Sequence, residues 1–426
     1  MLSVEEALEK ILREVDTLEA ESVPIMETLG QVLAEDIKSD INVPPLDNSA
    51  MDGYALRAED TREAGEASPK LLRVIDTVMA GSISKTEVVP GTAIRIMTGA
   101  PVPQGADCVV QFEKTDEEQR KSSVDEQSVP EIEILCKAVP GLNIRRAGED
   151  IAKGTVALKK GKVIRPSEIG LIASLGYGRV KAVRRPVVAV LATGNELVEV
   201  EQPLPEGKIY NSNTYSIASL VKRYGGIPKI VGIALDNEES LASKLRQGLD
   251  ADMLLTIGGV SMGDYDMVKD VLARDGEMVF WKVRVKPGKP LAFGKFKSNR
   301  PDGADKSLPH LGLPGNPVSC MVSFELFVRP ALLKMMGKKN LTKPSIEAIT
   351  EDPIKNTSGR RIYDRVIVEK RNGQYYSRLT GSQSSGILNS MSQANGLVMI
   401  PEDRKNINKG EAVPVLMLDW NEEAGS

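Results

Sequence analysis

Three apolar runs beyond residue 186 are each followed by a loop suited to chemistry: ATGNEL (192–197), TIGGVSMGDYD (256–266) and GLPGNPVS (312–319). In the last, Asn316 fits a helix N-cap and Pro317 the first helical position. Gly315 lets the backbone approach a ligand closely, and unpaired N–H groups at a helix start suit an oxyanion. A plainly well-capped helix fits the same residues. Gly258 and Gly259 predict a tight turn, with Ser261 placed to cap a helix or bind phosphate. Asp264 and Asp266 near the next helix start fit either the helix dipole or a hard-metal site built from oxygen ligands. Glu196, and Asp236 after KIVGIAL, are further carboxylates at strand ends. Acidic and glycine residues at four strand ends would share one rim, the usual ligand position in a doubly wound sheet. In FWKVRVKPGKP, an extended strand would put Lys282, Arg284 and Lys286 on one face, an anion contact or merely an exposed edge.

The N-terminal half adds PPLDNSAMDGYALR (44–57), IRIMTGAPVPQGAD (94–107) and NIRRAGEDI (143–151). Asp52-Gly53 reads as a hairpin turn, and Thr98-Gly99 as another tight turn. Arg145, Arg146, Glu149 and Asp150 form structural ion pairs or charge a cleft. The single histidine, His310, lies in an apolar run and reads as buried and structural. One histidine excludes a multi-histidine metal centre, and three scattered cysteines argue against a disulfide scaffold or structural zinc. Carboxylates, lysines, hydroxyls and backbone groups therefore carry the chemistry. With 55 basic and 59 acidic residues and 4% aromatics, the chain lacks the basic excess and stacking platforms of a nucleic-acid binder. The charged N-terminus resembles no signal peptide, and no apolar run approaches the roughly 18 residues of a membrane span. A cytoplasmic protein is expected.

These loops need elements to hold them. Residues 3–16 predict an amphipathic helix with a Ser3–Glu6 capping box. Short β-rich runs over 40–145 predict a β domain with a polar loop at 113–131, followed by a helix near 167–175 expected to pack back on the first. Over 186–330, VVAVLA, KIVGIAL, MLLTI and LPHLGL alternate with helical patterns near 213–224, 237–249, 264–274 and from Pro317. That alternation predicts a parallel sheet covered on both faces. Residues 278–296 read as a strand pair, 297–307 as an exposed loop, and β-like runs after about 340 as a C-terminal β domain. Length alone suggests about three domains.

In order along the chain, PPLDNSAMDGYALR, IRIMTGAPVPQGAD, NIRRAGEDI, LATGNEL, IGGVSMGDYDMVK, FWKVRVKPGKPLAFGK and LPGNPVS resemble the molybdopterin molybdenumtransferases, the MoeA family, and the related C-terminal domain of gephyrin. The resemblance implies a multidomain α/β plus β architecture. Its parts would be a split linker domain (1–28 and 146–183), an inserted β domain (29–145), a three-layer α/β molybdopterin-binding domain (184–335) and a C-terminal β domain (336–426). It implies an enzyme of molybdenum cofactor biosynthesis that uses adenylylated molybdopterin and molybdate, releases AMP and is assisted by Mg2+. It also implies a homodimer with an intersubunit cleft, and transient contact with the molybdopterin adenylyltransferase. Carried over by motif, the catalytic set is Asp52, Thr98, Glu196, Asp236 and Asp266, with Glu196 and Asp266 at the metal. Gly258, Gly259, Ser261, Lys282, Lys286 and Pro314 through Pro317 would bind substrate. Asn195 stands where many relatives carry Asp, and GSQSS (381–385) where many carry GHQGS. A gephyrin-like scaffold and a tungstate-inserting homologue are the alternatives.

Overall fold

The computed structural model describes residues 1–121, 130–259, 276–297 and 307–420. The expected helix near 264–274, with Ser261, Asp264 and Asp266, lies outside them, as do parts of the expected loops at 113–131 and 297–307. The chain forms two compact units. One comprises 1–34, 161–165 and 179–426, and the other 35–160 and 166–178.

The first unit is built on a six-stranded sheet in the order Ile227–Ala234, Val187–Thr193, Met253–Ile257, Ser307–Leu313, Pro290–Lys297, Gly276–Lys282. The first four strands are parallel, and the last two add an antiparallel hairpin at the edge. VVAVLA is apolar throughout because both sheet faces are covered. Val188 and Val190 enter one core with Ile217, Leu255 and Phe327, while Ala189 and Leu191 enter another with Leu241, Leu245 and Leu254. Each such fully buried Val or Leu contributes about 1.5–3 kcal/mol of hydrophobic stabilisation. The helices Ser212–Arg223 and Glu238–Arg246 supply the covering faces, each opened by an asparagine cap.

The first helix, Val4–Arg13, has the expected reciprocal capping box between Ser3 and Glu6. Its apolar face, Val4, Ala7 and Ile11, packs into the core that holds Phe324 and Ala331. The helix Pro166–Ser174 belongs to the second unit. The strand Ala20–Pro24 pairs antiparallel with Arg179–Val183, so distant parts of the chain close this unit.

The C-terminal strands form a closed circuit: Arg361–Arg371, Gln374–Leu379, Ser345–Thr350, Ala412–Met417 and Gly396–Ile400, which returns to the first. Closure leaves these strands without the open edges of a flat sheet. Their interior is apolar, with Ile362, Val366, Val398 and Val415. The second unit holds a mixed five-stranded sheet in the order Cys108–Gln111, Gly53–Leu56, Thr92–Ile96, Lys70–Val78, Glu131–Ile134.

His310 is fully buried in its strand. Its Nε2 lies 2.9 Å from the Thr256 hydroxyl, and its ring meets Phe296 edge-on. Burial without a charged partner pulls its pKa down to about 3. The folded chain therefore keeps it neutral where an unfolded chain would take up a proton. From this group, stability is full above about pH 6.5 and falls by up to about 1.4 kcal/mol per pH unit on the way down towards about pH 3. Urea midpoints near pH 7 and pH 4.5 should show that loss, and His310→Gln should reduce it.

Candidate active site

The carboxyl ends of the four parallel strands meet at one cleft of about 690 Å³. Thr193, Gly194 and Glu196 come from the end of the first strand and Asp236 from the end of its neighbour. Gly258 and Gly259 follow the third strand, and Pro314, Gly315, Asn316 and Pro317 the fourth. The rim expected from the sequence is therefore assembled by the order of parallel strands.

Local conformation explains the glycines. Gly258 and Gly259 have φ of 87° and 64°, a region that other residues rarely adopt. A Cβ on Gly258 would lie 2.8 Å from the Thr193 carbonyl oxygen, and one on Gly315 would lie 3.6 Å from the Gly258 α-carbon. The two loops thus face each other through bare backbone. Gly258→Ala should press on the Thr193 carbonyl and cost about 1–3 kcal/mol in local strain. Substrate affinity should fall more steeply than the thermal midpoint, as titration against calorimetric melting would show.

Glu196 is exposed on its turn. Its carboxylate lies over Gly194, where a Cβ would come within 2.3 Å of Oε2. Its carbonyl accepts the Ile209 N–H at 2.9 Å. Next to it, the Asn195 N–H donates to Asp236 Oδ2 at 2.9 Å, and the Asp236 N–H donates to Asn195 Oδ1 at 3.1 Å.

The fourth loop departs from the expected capped helix. Asn316 occupies the cap position without a side-chain cap bond. The Val318 N–H is not left for an oxyanion, because it donates to the Ser385 carbonyl at 3.1 Å. Asn213 instead anchors the loop, its Nδ2 donating to the Gly315 carbonyl at 2.6 Å.

Lys282 and Lys286 are not among the residues lining this cleft. They also do not share one strand face. One strand ends at Lys282, and the separate pair Val285–Lys286 hydrogen-bonds with Arg361 and Ile362 of the C-terminal sheet. The early strand end follows from the Val283 N–H turning to the Lys289 carbonyl at 3.1 Å.

In the second unit, Asp52 and Thr98 meet although they are far apart in sequence. The Thr98 N–H donates to Asp52 Oδ1 at 2.6 Å, and this bond holds the Asp52 carboxyl below its ordinary pKa. Gly53 begins a strand instead of a two-residue hairpin turn, and its bare α-carbon is needed because a Cβ would lie 2.0 Å from the Val110 carbonyl oxygen. Arg146 pairs with Asp47 at 2.6 Å, the structural one of the two roles read for that motif.

The sequence reading passed over several residues of the cleft. Thr193, Tyr210, Asn211, Ser212 and Asn213 line it, and so do Gly386 and Leu388 beyond the GSQSS segment. The Asn-Ser-Asn cluster at 211–213 was a usable signal, since three small polar residues open that helix. Asn211 Nδ2 is buried with no hydrogen-bond partner among the described residues, a donor at the cleft wall that suits an acceptor on a ligand.

Glu196 and Asp236 give the cleft two oxygen-donor side chains. Magnesium is commonly bound by one or two carboxylates, with waters and substrate phosphates completing its shell, so the donor set fits. Among the described residues no cluster of three or more His, Cys, Asp or Glu is placed to hold a metal on protein ligands alone.

Sheet topology, bare-backbone loops and a carboxylate rim define a class: an α/β domain with a small-molecule cleft at its strand ends. Residues 189–334 match the family model of a probable molybdopterin binding domain, 2–176 the MoeA N-terminal region (domain I and II), and 347–418 the MoeA C-terminal region (domain IV). The chain belongs to the molybdopterin molybdenumtransferase family. It is 37% identical to molybdopterin molybdenumtransferase 2 of Mycobacterium tuberculosis, over 92% of this chain and 94% of the relative. It is 36% identical to the Haemophilus influenzae enzyme, over 97% and 98% of the two chains. A molybdopterin biosynthesis MoeA protein from Pyrococcus horikoshii superposes with a TM-score of 0.80 at 34% identity, covering 99% of this chain and all of that one. No helix among the described residues is long and apolar enough to cross a membrane.

Proposed function

We propose that this chain inserts molybdate into adenylylated molybdopterin, forming molybdenum cofactor and releasing AMP. The observation that carries the reading is the convergence of Glu196, Asp236, the Gly258-Gly259 turn and the Pro314–Pro317 loop on one cleft. Its volume of about 690 Å³ suits a pterin nucleotide. The two facing glycine loops give a ligand close approach to bare backbone, and Asn211 Nδ2 supplies a side-chain donor. A bound magnesium ion would neutralise charge on the pyrophosphate as it is cleaved. Glu196 is the described residue placed to hold it, and the motif carries Asp266 as the second carboxylate.

Several finer assignments complete this reading. The chain acts in the cytoplasm as a homodimer, with Asp52 and Thr98 of one subunit serving the α/β cleft of the other. Their mutual hydrogen bond and exposure support a role at a surface. The motif carries Lys282 and Lys286 as anion contacts outside the described cleft lining and Ser261 as a phosphate contact, and the adenylyltransferase delivers the substrate by transient contact. The working parts are 1–28 with 146–183, 29–145, 184–335 and 336–426.

Complementation tests the activity. A bacterial strain lacking its own molybdenumtransferase should regain molybdoenzyme activity when it expresses this chain. Abundant folded protein with no rescue, in medium supplied with either molybdate or tungstate, would overturn the reading.

A further inference from the structure

We infer that Asn195 is a positioning residue for Glu196, closing with Asp236 a two-bond ring that aims the Glu196 carboxylate into the cleft. The inference rests on the function proposed above. The ring joins the turn after one parallel strand to the turn after its neighbour, through bonds of 2.9 and 3.1 Å. Both residues are exposed, so apolar packing does not hold this turn. Hydrogen bonds do so from every side. The Gly194 N–H donates to the Ala234 carbonyl at 3.1 Å, Lys208 Nζ donates to the Asn195 carbonyl, and the Ile209 N–H donates to the Glu196 carbonyl.

The side chain at 195 contributes one of these bonds, and only through its oxygen. Aspartate would supply the same acceptor. Here the amide makes the bond without adding a third negative charge beside Glu196 and Asp236. A long exposed carboxylate samples several rotamers unless its backbone and its floor are fixed. The ring fixes the backbone, and the Gly194 α-carbon is the floor. Misplacement of a reacting group by about 1 Å is enough to cost large factors in rate.

The test uses the full-length protein, with AMP release and binding of adenylylated molybdopterin followed by pterin fluorescence. Asn195→Ala should lower kcat about tenfold, with substrate Kd within about twofold and an unchanged thermal midpoint. Asn195→Asp should return kcat to within about threefold of the parent, since it restores the acceptor. In a Glu196→Gln background, Asn195→Ala should cost less than about twofold more, because residues acting as a unit are not additive. Parental kcat in Asn195→Ala, or a full additional loss in the Glu196→Gln background, would overturn the inference and leave the proposed function standing. Full activity of Glu196→Gln itself would remove the site assignment, and the inference with it.

Discussion

Glu196→Ala should lower AMP release by about 100-fold or more while leaving the thermal midpoint within a degree or two of the parent. The two halves of this expectation have separate physical grounds. Glu196 is exposed and its carboxylate sits on a glycine, so its removal opens no core cavity. Substitutions at such surface positions usually change stability by no more than about 0.5 kcal/mol. On the proposed function the chemical loss is large because the carboxylate holds the cation where charge is redistributed on the phosphates, and such electrostatic groups are commonly worth about 3–4 kcal/mol of barrier. Steady-state kinetics beside calorimetry would check both halves. Full activity would remove Glu196 from the catalytic set, and a collapsed midpoint would make it structural.

Arg365→Met should destabilise the chain by about 2–5 kcal/mol and also weaken substrate binding. Arg365 is fully buried, and its guanidinium is the internal scaffold of the 382–390 segment. It donates to the Ser382 and Ser384 carbonyls at 3.0 Å, to the Gln383 carbonyl at 3.2 Å and to the Ser390 hydroxyl at 3.0 Å. Each bond from a charged donor contributes about 1.5–3 kcal/mol, and the freed carbonyls recover part of that by taking up water. The effect reaches the cleft because this segment contains Gly386 and Leu388, which line it, and because Ser385 holds the start of the Pro317–Ser323 helix. Chemical denaturation and a substrate titration would measure the two losses. A destabilised variant with parental affinity would separate this segment from the cleft.

The fold was legible wherever apolar pattern decided it. VVAVLA and MLLTI could only be strands covered on two faces, and the loops after them could only lie at one sheet end. That logic located Glu196, Asp236, Gly258 and Gly315 from sequence. It failed where a single hydrogen bond redirected the chain. The lysine face over 282–286 assumed one continuous strand, but the turn of Val283 onto Lys289 ends it. It also failed where backbone atoms carry the role. GSQSS stands outside the site read from sequence because it lacks the histidine of many relatives, yet it contributes carbonyls, and its position depends on a buried arginine on a separate strand. The Asp52–Thr98 pair needed the family resemblance, since no spacing rule joins residues on separate turns.

The central claim is tested most directly by reconstitution. Purified chain, adenylylated molybdopterin, Mg2+ and molybdate are combined, and AMP and active cofactor are measured together. The account predicts AMP and cofactor in equal amounts, formed only when the oxyanion is present and lost in Glu196→Ala. Folded protein that yields neither product with molybdate or with tungstate would contradict it.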